Sequence, residues 1–146
     1  MSLHSADHLT GEGHDDPSAP GRLHTDIRAR LYTITGPAPS AQERALLARM
    51  LTTFPTKTLT ALDRLARALR AAETAAVGSQ AHSLKGSAAN LGVTNLTRLF
   101  ADLEDQARRG DLPHPEPTLQ AVRDALDLAT PACITIAAEL TCPAAA

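Results

Sequence analysis

The sequence has 146 residues, about one domain's worth, and 43 % of them are hydrophobic, enough for a modest core. Aromatic residues make up only 2 % and Trp is absent, so the core must be built from Ala, Leu, Val and Ile, a composition that suits helices better than sheets. The formal net charge of -2 creates no strong field, which disfavours nucleic-acid binding and implies no polyanionic partner.

Cys133 and Cys142 lie nine apart and form neither a CxxC pair nor a disulfide framework, which fits a reducing compartment. No apolar run approaches the length of a membrane span, and the N-terminus shows no secretory apolar region. The expectation is a cytoplasmic protein that does not enter the membrane.

Residues 1–22 are rich in Gly, Pro, Ser, Asp and His without apolar periodicity, and are read as a disordered tail. His4, His8 and His14 fall in it and His24 just after; the plain reading is a polar tail, and the alternative is a metal site, since His4 and His8 would share a face if that stretch were helical. The folded unit is expected over 23–141, with 142–146 as a second tail. Leu23 to Ile34 reads as a short helix with Ile27, Leu31 and Ile34 on one face, ended by Gly36, Pro37 and Pro39.

Ser40 starts the next helix, and Glu43 three residues on completes capping-box spacing. Leu47, Met50, Leu51 and Phe54 follow, and Leu59, Leu62, Leu65, Ala66 and Leu69 continue the stripe; Pro55 either kinks this helix or begins a new one. A third helix is expected over Thr74 to Asn90, with Gly92 as a left-handed cap. A fourth covers Asn95 to Arg109, with Thr94 as N-cap and Gly110 as the stop. Pro113, Pro115 and Pro117 are read as an extended linker, and a last helix runs from Thr118 to Leu140, kinked at Pro131. The fold class is therefore all-α: an antiparallel four-helix bundle with a short N-terminal lid helix.

The chemistry lies on the third helix. At 100° per residue, Val77, Ala81, Leu84, Ala88 and Leu91 fall in one arc, the core face. Nearly opposite lie Ala75, Gly78, His82, Gly86 and Ala89, with Ser79 beside them and Lys85 at the flank. A solvent face normally carries long charged side chains. Gly78 and Gly86 each cost about 1 kcal/mol relative to Ala in a helix interior, so a compensating use is expected. Small residues one turn before and after a histidine leave a flat landing for another protein. Imidazole has a free lone pair near neutral pH, and Lys85 one turn away can offer an ammonium to an anion on the ring. A lone helical histidine is usually only a surface residue, and no further ligands stand near His82, so no metal site is expected.

The run His82-Ser83-Leu84-Lys85-Gly86-Ser87-Ala88-Ala89-Asn90-Leu91-Gly92 resembles the signature of histidine-containing phosphotransfer (HPt) domains, H-x-L-K-G-S-A-x-N-L-G. The resemblance extends over about residues 41–140, including the Phe54-Pro55 step, Glu73 before the histidine helix and the Leu103-Glu104 pair. It implies that His82 accepts a phosphoryl group on Nε2, that Lys85 helps hold it, and that Gly86 leaves room for a partner. Glu104 falls where many members place a polar residue facing the histidine, and an acid there can orient the ring. Ala75, Gly78, Ser79, Gly86 and Ala89 would form the docking face.

The function this implies is a phosphorelay intermediate of two-component signalling, exchanging a phosphoryl group between His82 and the aspartate of a receiver domain. No Gly-rich nucleotide loop is present, so the chain is expected to be a carrier without its own ATP site and without a cofactor. Mg²⁺ would be supplied by the receiver, and the carrier would act as a monomer. The alternative is a non-catalytic helical module docking a partner through the His82 face, for which the imidazole is dispensable. A histidine-kinase stalk would show an H-E-x-x-T-P pattern, which Ser83 does not fit.

Overall fold

The computed structural model describes residues 20–142, which form five helices, the turns that join them and the cap of the last. These are α1 (Pro20–Thr35), α2 (Ala41–Arg70), α3 (Thr74–Leu91), α4 (Thr94–Arg108) and α5 (Pro115–Thr141). Most of the expected tails, with His4, His8 and His14, lies outside the described residues. Residues 20–22, read from sequence as tail, belong to α1.

Helices α2 to α5 form the bundle, each antiparallel to its neighbours. α2 and α5 are tied at one end by Arg70 and Glu116, at 2.7 Å and 3.0 Å, and at the other by Arg44 Nε donating to the Leu140 carbonyl at 3.2 Å. Only Gly92 and Val93 separate α3 from α4. α1 lies across the end where α3 stops and α4 starts: Thr94 Oγ1 donates to Asp26 at 2.6 Å, and Arg28 pairs bidentately with Glu139 of α5. Leu23, Ile27 and Leu31 anchor α1 in the core. Burial of one such side chain contributes roughly 1.5–3 kcal/mol, so α1 is an integral part of the fold. Among the described residues no helix is long and apolar enough to cross a membrane.

Local chemistry explains the helix ends. Ser40 and Glu43 form the expected capping box, with both hydrogen bonds present at 3.0 Å and 2.7 Å. Gly92 adopts φ +77, and the Val93 N–H closes the turn on the Ala88 carbonyl. A second constraint acts there: a Cβ on Gly92 would meet the Asp26 carbonyl and Arg30 Cβ at 2.7 Å. The glycine that ends α3 therefore also admits the backbone of α1.

Three local expectations are corrected. Ile34 and Leu59 are 45 % and 52 % exposed, because neighbours at helical spacing already fill the core and these two fall off the stripe. Thr94 is the first residue of α4 rather than its N-cap, and its hydroxyl is used by Asp26. α5 begins at Pro115, not Thr118: Pro115 and Pro117 sit in its first turn, where a missing N–H costs nothing. Of the two readings left open at Pro55, the structure takes the single helix: α2 runs through Pro55, and α5 runs through Pro131 as expected, with buried residues on both sides of each proline.

Candidate functional site

The five residues of α3 assigned to the core from periodicity, Val77, Ala81, Leu84, Ala88 and Leu91, are the five that are buried. His82 is thereby forced outward, and its side chain is 70 % exposed. α4 packs antiparallel beside it and brings Glu104 within reach. His82 Nδ1 stands 2.8 Å from Glu104 Oε2, and Lys85 Nζ stands 2.6 Å from Glu104 Oε1. Arg108 Nη2 approaches the same carboxylate at 3.7 Å. One carboxylate thus collects the imidazole, the ammonium and a guanidinium.

The electrostatics follow from that convergence. The Lys85 ammonium holds the Glu104 carboxyl below the usual range, with a smaller contribution in the same direction from His82, and partial desolvation opposes them. An ionised Glu104 can only accept. The hydrogen bond therefore runs from Nδ1–H to Oε2, which selects the tautomer with a bare lone pair on Nε2. Among the described residues nothing bonds Nε2. An exposed imidazole held in this way is able to act as a nucleophile through Nε2, with a carboxylate beside any positive charge that develops on the ring.

The remaining candidates separate into two groups. Ala75, Ser79, Gly86 and Ala89 are exposed along the same side of α3 as His82. Around Gly86 there is open space, with nothing within 4 Å of the position a Cβ would take. Gly78 is different. It is half-buried, and a Cβ there would lie 3.4 Å from Ala107 Cβ of α4. At 100° per residue Gly78 stands roughly 40° from His82 on the side of Lys85. That flank proves to be the α3–α4 seam.

Two participants were not singled out from sequence. Arg108 sits one turn after Glu104 and faces the site, but its place depends on the α3–α4 register. Arg30 reaches from α1, its Nε donating to the Asn90 carbonyl at 3.1 Å near the end of α3. A separation of sixty residues leaves no local signal for that contact.

Comparison with curated proteins and with solved structures gives no match. Residues 49–130 match the Hpt domain family, a span that contains α3 and α4 entire, most of α2 and the first half of α5. With more than half of the chain inside that match, and the helical bundle presenting His82 from its surface, the protein belongs to the histidine-containing phosphotransfer domain family of two-component signalling.

Proposed function

We propose that this protein is a phosphorelay intermediate that accepts a phosphoryl group on His82 Nε2 from the aspartyl phosphate of a receiver domain and passes it to another receiver. The observation that carries the reading is the 2.8 Å contact between Nδ1 and Glu104 on a histidine that is 70 % exposed. The Nε2 lone pair attacks phosphorus, an N–P bond forms, the P–O bond of the acyl phosphate breaks, and the aspartate leaves as a carboxylate. Nδ1 keeps its proton, and the positive charge on the ring is shared with Glu104. Lys85 exchanges from Glu104 to a phosphoryl oxygen, a charge-assisted contact. Transfer onward runs the same steps in reverse.

The carrier supplies nucleophile, counter-charge and landing surface; a Mg²⁺ held by the receiver would neutralise charge on the transferring group. Gly86, Ala89, Ala75 and Ser79 form the landing around His82, with Gly78 at its seam with α4. The carrier acts as a cytoplasmic monomer and has no ATP site of its own.

His82→Gln tests the reading. The side chain makes no core contact, so the variant should melt like the wild type yet take no phosphoryl group from a phosphorylated receiver or from acetyl phosphate. Labelling of the variant at a rate comparable to the wild type would overturn the assignment.

A further inference from the structure

We propose that Arg30, on the helix outside the residues that match the family, is a docking residue that binds a carboxylate side chain of the receiver domain and so orients the receiver along α3. This inference rests on the phosphorelay reading. Arg30 lies with Gly86, Ser87, Ala89 and Asn90 around a shallow depression on the His82 side of α3. Its start is fixed, because Arg30 Cβ is where Gly92 admits α1. Its Nε is held by the Asn90 carbonyl. Among the described residues the two terminal nitrogens meet no acceptor, so a guanidinium fork is held in place with its outer edge open.

Position supports the assignment. Asn90 is eight residues beyond His82, about 12 Å along the helix at 1.5 Å per residue. A typical interface covers about 800 Å² per partner, a disc reaching about 16 Å from its centre. A partner of that size centred on His82 therefore reaches the end of α3, where Arg30 is bonded to Asn90. Gly86 and Ala89 both line the depression, and neither has a side chain long enough to obstruct a short acidic one.

Charge is distributed unevenly along the face. On the α4 side, Lys85 and Arg108 are engaged by Glu104, and Arg108 and Arg109 by Asp105. At the Gly86 end, among the described residues, no acid pairs with Arg30: Asp26, one turn earlier on α1, is bonded by Thr94 and Arg22. A carboxylate is the chemistry that completes a fixed, unpaired fork, and it would set which way the partner lies on the helix.

The purified chain and its variants are assayed for phosphoryl uptake from a phosphorylated receiver domain that labels the wild type, with receiver concentration varied to separate half-saturation from maximal rate. Arg30→Ala should raise the half-saturating concentration about three- to fivefold at low salt, as expected of an exposed charge pair, with the maximal rate unchanged. Arg30→Glu should raise it further, and added salt should narrow the gap. Arg30→Gln separates docking from helix capping, since its amide can still donate to the Asn90 carbonyl but carries no charge. It should behave like Arg30→Ala. If Arg30→Gln takes up phosphate like the wild type, or if the Ala and Glu variants keep the wild-type half-saturation, Arg30 only caps α3 and the proposal fails. A wild type that is not labelled on His82 would instead overturn the phosphorelay reading, so the two failures are told apart in one assay.

Discussion

His82 Nδ1 lies 2.8 Å from Glu104 Oε2, and the other oxygen of that carboxylate lies 2.6 Å from Lys85 Nζ. The two residues that would act on the phosphoryl group are therefore held by one acid on the neighbouring helix. One carboxylate thus contacts both the imidazole and the ammonium.

Glu104→Ala should slow uptake of the phosphoryl group about ten- to a hundredfold in single-turnover measurements, the usual worth of a hydrogen bond to a charged group. Glu104→Gln should fall between, because its oxygen can still accept from Nδ1–H but offers no counter-charge. In ¹⁵N spectra the wild-type ring should show the Nδ1–H form, and Glu104→Ala should lose that preference. An unchanged ring signature in Glu104→Ala would remove the tautomer argument.

The pH dependence of stability follows from the same pair. Glu104 has a lowered carboxyl pKa in the fold, chiefly through Lys85. Its contribution is present above the ordinary carboxylate value near about 4.3 and is lost as pH falls through the lowered value. The difference in melting temperature between the wild type and Glu104→Gln should be full at pH 6 to 7 and vanish in strong acid. A difference that persists undiminished in strong acid would contradict the ion pair.

Lys85→Ala should reduce the transfer rate about ten- to a hundredfold, if its ammonium contacts the phosphoryl group in the transition state. Receiver binding should survive, since Lys85 faces Glu104 rather than the open side. An unchanged rate would take Lys85 out of the mechanism.

The two glycines of α3 should respond in opposite ways. Gly86→Gln enters open space and replaces a poor helix former, so it should melt slightly higher while impairing uptake from a receiver. Gly78→Leu would press on Ala107 and should melt lower by the order of 1–3 kcal/mol of overpacking. Should Gly86→Gln transfer at the normal rate, the clearing around His82 is not a docking surface.

The cysteines give a check on packing. Cys133 is buried, and burial pushes its thiol up to about 11, whereas Cys142 is exposed. At pH 8 a thiol reagent should label one cysteine per native chain at once and the second only on unfolding. Because the Cys133 value is raised, its share of stability is present below the ordinary thiol range near about 8.5 and declines as pH climbs towards 11. Rapid labelling of both thiols in the native state would mean that α5 is packed loosely.

Much of this was legible in residues alone, and the reason is locality. The buried face of α3, the Ser40–Glu43 box and the Gly92 cap depend on spacings of three to five residues, which a helix converts directly into contacts. The signature from His82 to Gly92 lies on one helix and its cap, so the exposed histidine, the lysine and the open glycine could be named in order. The prolines of α5 were misread because an N-terminal turn and an extended linker both accept Pro, and only the packing of Leu119 beyond them decides between the two.

What the sequence by itself determined is the bundle's helices and the outward direction of His82, since the apolar stripe of a helix fixes its opposite face. What only the tertiary structure decided is what surrounds that histidine. Glu104 is twenty-two residues away, and its reach to Nδ1 depends on the register in which α4 packs on α3, a quantity set by side-chain interlocking along the whole seam. The same seam moved Gly78 from the open face to a helix contact at Ala107. Arg30 depends on α1 crossing the end of the bundle, where Gly92 gives way to its backbone. Periodicity carries no information on distances between separate helices, so the roles of these residues had to come from the fold.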